Sequence, residues 1–142
     1  MRKLGIIAVL SLVALAIAVV PALAANKPGA HEQKKDTITC TTNGFTVKCT
    51  GTVSGLGGNI DSASTVVEAD FACATRPGNN KPSGHLQGDS GPLQVSNGSL
   101  TFDVTTVPAS CPNGLNPTIG DTATVSIFSD TRLLYQTTVP IT

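Results

Sequence analysis

Residues 37–50 read TITCTTNGFTVKCT. Ile38 and Cys40 alternate with threonines before Asn43-Gly44-Phe45, and Phe45, Val47 and Cys49 alternate with polar residues from there on. A period of two marks a strand with one buried face, and Asn-Gly between two such runs marks a tight hairpin. Two registers fit. With Asn43-Gly44 as a type I′ turn, Cys40 faces Val47 and the two cysteines lie diagonally. With Gly44-Phe45 as a type II′ turn, Cys40 faces Cys49 directly. Only the second brings the β-carbons near the ~3.8 Å that a disulfide requires. The pattern therefore predicts the Gly44-Phe45 register and a Cys40–Cys49 cross-strand bridge. Its short loop makes it worth about 2.7 kcal/mol on the chain-entropy relation.

Working outward, SGLGGNID (54–61) is a turn-rich connection, and STVVEADFAC (64–73) is a half-buried strand. In that strand Val67, Ala69, Phe71 and Cys73 share one face, while Val66, Glu68 and Asp70 share the other. Residues 74–92, ATRPGNNKPSGHLQGDSGP, keep no periodicity and are rich in Gly, Pro and Asn. They read as a long loop, of the kind that is usually functional or mobile. LQVSNGSLTFDVTTV (93–107) reads as a hairpin around Asn97-Gly98. PASCPNGLNPTIGD (108–121) is a second loop, and 122–139 supply two closing strands with a turn near Ser129-Asp130.

About seven short strands and no convincing helix predict an all-β fold: a single antiparallel β-sandwich, immunoglobulin-like, with two disulfides. Its core is expected from Val47, Val53, Val67, Phe71, Leu100, Phe102, Val104, Val125, Ile127 and Leu134. The remaining cysteines, Cys73 and Cys111, would close a longer loop worth about 3.9 kcal/mol and tie the 74–92 and 107–121 loops together.

The first residues, MRKLGIIAVLSLVALAIAVVPALAAN, have a basic start, an apolar core and an Ala22-Leu23-Ala24 exit. That is a signal peptide over 1–24, favoured over a retained anchor by the small-residue exit and the short apolar run. Polar residues 25–36 then form a flexible leader, and 37–142 the sandwich domain. Removing 24 of 142 residues leaves 118, enough for one domain with a real core. Arg2 and Lys3 go with the signal, so 7 basic residues remain against 9 acidic ones, a net charge of about −2. With no basic patch, nucleic acid is not an expected partner. An even cysteine count in an exported chain reads as two disulfides and a secreted, extracellular location, with no membrane contact after cleavage. No cofactor is implied, and without Cys-x-x-Cys no metal site is expected.

Gly88-Asp89-Ser90-Gly91 copies the string around the nucleophile of chymotrypsin-like proteases. That chemistry needs a histidine, an orienting carboxylate and an oxyanion hole in a two-barrel fold of about twice this size. The next residue is Pro92, His85 is only five residues away and His31 sits in the leader. Turn formation is the favoured reading, and no catalytic residue is expected. Glu68 and Asp70 could space like a glycosidase pair but read as a solvated strand face. Asn59, Asp61, Asp89, Asp121 and Asp130 offer oxygens for Ca²⁺ without a recognised spacing. With no tryptophan, one tyrosine and phenylalanines mostly at core-facing positions, a sugar-stacking platform is not expected. Asn97-Gly98-Ser99 fits an N-glycosylation acceptor but is first a hairpin turn.

Cys49, Gly55-Leu56-Gly57, Cys73, Arg76-Pro77-Gly78-Asn79-Asn80-Lys81-Pro82, Asn97-Gly98 and Cys111-Pro112-Asn113-Gly114 follow one another in an order that resembles a group of small exported proteins. That group is common in actinomycetes and relatives and has no assigned activity. The resemblance covers most of the chain after the signal, although Arg76 and Asn79 stand where the group has asparagine and a second glycine. It implies a secreted, disulfide-bonded β-sandwich and no catalytic residues.

The expected function is a secreted or cell-surface, non-catalytic module of unknown specific role that binds an extracellular protein or glycan through loops 74–92 and 107–121. The candidate contact residues are Arg76, Asn79, Asn80, Lys81, His85 and Asp89. A structural protein assembling through edge strands is the alternative, although the leader lacks the alternating apolar residues of a donated strand. A hydrolase using Ser90 is the third.

Overall fold

The computed structural model describes residues 27–32, 37–73 and 83–142. Residues 1–24, expected to be a signal peptide, therefore lie outside the described residues. Among those described, the strands are β1 (His31–Glu32), β2 (Thr39–Asn43), β3 (Thr46–Ser54), β4 (Ser62–Cys73), β5 (Ser83–Asp89), β6 (Leu93–Gln94), β7 (Leu100–Thr105), β8 (Pro117–Ser129) and β9 (Arg132–Pro140). A 3-10 turn covers Pro112–Gly114. The strands pair antiparallel in two sheets. In the first, β3 carries β7 on one edge, and β2 followed by β1 on the other. The second runs β5-β4-β8-β9, with the short β6 beside the start of β4. The chain is an all-β, two-sheet sandwich with two disulfides. Nine strands replace the seven expected: β1, of two residues, is too short to leave a periodic signal, and β5 lies inside the segment read as a loop.

The opening hairpin has the predicted register: Asn43 faces Thr46 and Cys40 faces Cys49. Gly44 has φ +63° and Phe45 does not share the positive φ, as a type II′ turn requires. The Cys40–Cys49 bridge spans 4.1 Å between Cα atoms, and both cysteines are buried. Val47, Cys49 and Val53 of β3 and Leu100, Phe102 and Val104 of β7 face Val67, Val125, Ile127 and Leu134 across the core. Each such side chain, fully buried, contributes about 1.5–3 kcal/mol. Phe71 alone of the expected core is half-buried, because the β4/β8 ladder slips between Ala69 and Phe71.

Both seams between the sheets are laced by backbone. On one side the C-terminus crosses over: Thr142 N–H donates to the Cys40 carbonyl at 3.0 Å and Thr42 N–H to the Thr142 carbonyl at 3.2 Å. On the other, Thr106 N–H continues the β3/β7 ladder to the Val47 carbonyl at 2.9 Å, and Val107 N–H then crosses to the Gln87 carbonyl of β5 at 3.0 Å. Exposed edge groups are thereby satisfied.

Three sequence expectations need correction. The 74–92 segment is not one loop: residues 83–89 are β5, paired with 66–72 of β4. Its inward positions are Gly84, Leu86 and Gly88, so two of three carry no apolar side chain and the period of two is erased. The 107–121 loop ends early, because Pro117, Thr118 and Ile119 extend the ladder with Cys73, Ala72 and Phe71. Pro117 opens its strand, where a missing N–H is tolerated. The leader is not wholly detached either. Residues 27–32 lie against the sandwich, where His31 pairs with Ser54 and Glu32 with Val53. Backbone pairing and the polar side chains of Lys27 and Glu32 hold them, and these leave no trace in hydropathy.

Candidate functional site

The protease-like string is a structural corner between β5 and β6. Gly88 lies so close to β7 that a β-carbon there would stand 2.6 Å from the Thr105 carbonyl oxygen. An Asp89 carboxylate oxygen accepts the Gly91 N–H at 2.7 Å, a self-closing Asx turn. Ser90 Oγ accepts the Thr65 N–H at 2.9 Å and donates to the Gly91 carbonyl at 2.7 Å. The Ser90 N–H in turn donates to the Thr65 carbonyl at 3.0 Å. Gly91 takes φ +65°, open to glycine at no steric cost. Each of the four residues thus has a geometric task, and the Ser90 hydroxyl spends its proton on a backbone carbonyl.

His85 turns the other way. It faces Asp70 across the β4/β5 ladder, and its Nδ1 lies 2.5 Å from Asp70 Oδ1. Both side chains are largely exposed, at 84% and 77%, so their attraction is weakened by water and salt. Glu68 shares this outer face, as the alternation in 64–73 predicts, and with Thr122 and Thr124 the three residues rim a shallow depression of about 340 Å³. The outer face of the first sheet is a field of hydroxyls around a groove of about 650 Å³. There Thr39 and Thr50 approach to 3.3 Å, Thr52 and Thr101 to 2.9 Å, and Lys48 pairs with Asp103 at 2.9 Å.

The end of the sandwich that carries the hairpin turn is different in character. Ala109 N–H donates to the Phe45 carbonyl at 2.8 Å, so segment 106–109 runs beside the Gly44-Phe45 turn. Phe45 and Val107 are the large hydrophobic residues left exposed among the described residues, at 47% and 60%. A few residues on, Cys111 is bridged to Cys73, with Cα atoms 5.7 Å apart. That bond anchors the segment to the last residue of β4, as the sequence predicts.

Of the candidate contact residues, Arg76, Asn79, Asn80 and Lys81 lie outside the described residues. His85 and Asp89 sit on β5, His85 on the outer face of the second sheet and Asp89 at the corner, rather than together on a loop. Among the calcium candidates, Asp89 is occupied by its turn, and Asp130 holds φ +53° in the β8–β9 hairpin. Among the described residues, no three His, Cys, Asp or Glu side chains gather as metal ligands. Asn97 occupies a two-residue turn between Ser96 and Ser99 with φ +52°.

The sequence reading counts Phe45 in the alternating run and in the Gly44-Phe45 turn, leaves it out of the expected core, and does not single out its exposure. The signal was available: once Gly44-Phe45 is the turn, Phe45 belongs to neither strand face. Val107, following β7, had no comparable cue. No protein-family model matches the chain, and neither a curated protein nor a solved structure matches it.

Proposed function

We propose that the protein is a secreted or cell-surface, non-catalytic binding module with an immunoglobulin-like sandwich. It engages an extracellular protein at the end formed by the Gly44-Phe45 turn and the 106–116 segment. The observation that carries this reading is the exposure of Phe45 and Val107 on two segments joined by a backbone hydrogen bond. Exposed apolar anchors on a rigid frame are what a partner's pockets take up. The hairpin bridge and the Cys73–Cys111 bridge hold both segments before binding, so little ordering entropy remains to be lost on association. Two disulfides and no free cysteine fit an oxidising compartment. A glycan partner is less well supported, because hydroxyl-rich ligands ask for convergent polar groups, and this end presents two apolar side chains.

The test uses the oxidised protein, immobilised and exposed to the extracellular fraction of its native source. A species retained by the parent should be lost with F45S/V107S, while the variant keeps both disulfides and its unfolding midpoint. Retention unchanged by the double substitution sinks the reading.

A further inference from the structure

Residues 27–32 form an arm whose seat is built from the body of the sandwich. Lys27 N–H donates to the Leu134 carbonyl of β9 at 2.7 Å, and the Lys27 ammonium donates to the Leu56 carbonyl. His31 and Glu32 pair with the edge of β3, and Ala30 packs on the core. The Tyr135 hydroxyl donates to the Glu32 carboxylate at 3.4 Å. That phenol is held above its ordinary pKa first by burial and then by the Glu32 charge, with a hydrogen bond from Thr137 opposing. The seat is shaped for this backbone. A β-carbon on Gly55 would strike the Gly29 carbonyl, and one on Gly57 would strike the Lys27 ammonium.

Between its described ends, the connection from arm to body has more residues than the ladder needs. β1 and β2 follow the same edge of β3 in the same direction. Seven chain steps from Glu32 to Thr39 accompany only three from Val53 to Thr50, a surplus of four residues. Three ladder steps cover ~10 Å, whereas seven extended residues reach ~24 Å. The arm itself is lightly held, by two ladder pairs, one half-buried methyl, backbone hydrogen bonds and the side-chain bonds of Lys27 and Glu32. Segments of this kind open locally well before the core does. Opening bares the β3 edge at Val53–Ser54 and the Leu134 carbonyl, groups that bind extended peptide.

We propose that the arm is an exchangeable strand: the notch between β3 and β9 that holds residues 27–32 of its own chain accepts the same segment of a second copy. The occupant is defined by identity, since the seat already fits this sequence. Reciprocal exchange gives a closed two-fold dimer that requires no new contact surface. Its population follows protein concentration against the effective concentration of the tethered arm. This stands apart from the partner-binding reading: β3 runs from Thr46, beside Phe45, to Ser54, beside His31, so the two surfaces lie at opposite ends of that strand.

The experiment mixes isotope-labelled and unlabelled oxidised chains beginning at Ala25 and weighs the assemblies by native mass spectrometry. Mixed dimers should appear, rise with concentration and convert to peptide-bound monomers when a synthetic peptide of residues 25–36 is added in excess. Gly55→Ala, with both disulfides intact, should reduce the dimer by about tenfold or more. The peptide arm needs no variant, so it holds even if that substitution impairs folding. Absence of dimers across the accessible concentration range, or dimers indifferent to the peptide, overturns the proposal.

Discussion

The hairpin of β2 and β3 and the strand-corner of 83–92 are both backbone ladders, yet one advertises itself in sequence and the other hides. In the hairpin, the turn residues lie between the strands they join, and Cys40, Val47 and Cys49 all point inward. Every determinant lies within fourteen consecutive residues. In β5 the inward side is Gly84-Leu86-Gly88, and what fills the space belongs to distant segments. The Phe71 ring lies over Gly84, and the Thr105–Thr106 backbone lies against Gly88. The difference is between structure specified by neighbours and structure specified by what arrives from elsewhere. A glycine that makes room for a remote backbone looks, in one dimension, like a glycine that starts a turn.

The largest expected effect tests this contrast through the two disulfides. Cys40–Cys49 closes a separation of 9 residues, and Cys73–Cys111 one of 38. Replacing Cys73 and Cys111 together by alanine should lower the unfolding free energy by about 3.9 kcal/mol, and replacing Cys40 and Cys49 by about 2.7 kcal/mol. Equilibrium denaturation of each pair variant measures both. The contrast breaks if the hairpin bridge proves the more costly to lose, because the locally coded region would then depend more on its staple than the remotely coded one.

Legibility follows the same division. The all-β class, the hairpin register and the Cys40–Cys49 pairing could be read because alternation and turn chemistry are short-range, and Cys73–Cys111 then followed as the remaining pair. The exact extent of β5 and β8 could not. Pro117 and Gly120 look like loop residues until β4 resumes its pairing beyond the bulge at Ala69/Phe71. The candidate site was less legible still. Val107 follows a regular strand and would have passed for an ordinary surface residue without knowing that Ala109 docks on the Phe45 carbonyl.

A sharper version compares the two glycines of β5. At Gly88 the obstructing atoms are all backbone, the Thr105 carbonyl oxygen at 2.6 Å and its carbon and the Thr106 Cα at 2.9 Å. At Gly84 they are the far edge of the Phe71 ring, at 2.6 and 2.7 Å, on a half-buried side chain. A backbone cannot step aside without moving β7, whereas a ring can turn. Gly88→Ala should therefore cost about 2 kcal/mol of stability and Gly84→Ala less than about 1 kcal/mol. Denaturant midpoints at unchanged slope report both, and equal costs would show that remote backbone does not set the position of β5.

A further small effect concerns the serine that most resembles a catalyst. Ser90 Oγ is the acceptor for the Thr65 N–H, and Thr65 is fully buried on β4. Removing that acceptor leaves a buried donor with nothing in its place, while the Gly91 carbonyl loses a donor at the surface side of the corner. An orphaned backbone amide costs roughly 1–3 kcal/mol, and local relaxation toward water at a part-buried corner places the expected loss for Ser90→Ala near 1 kcal/mol. Ser90→Thr, which keeps the hydroxyl, should recover most of it. The loss should appear as a lowered unfolding midpoint. A Ser90→Ala protein as stable as the parent would remove the hydroxyl from the corner's framework and reopen the question of what it is for.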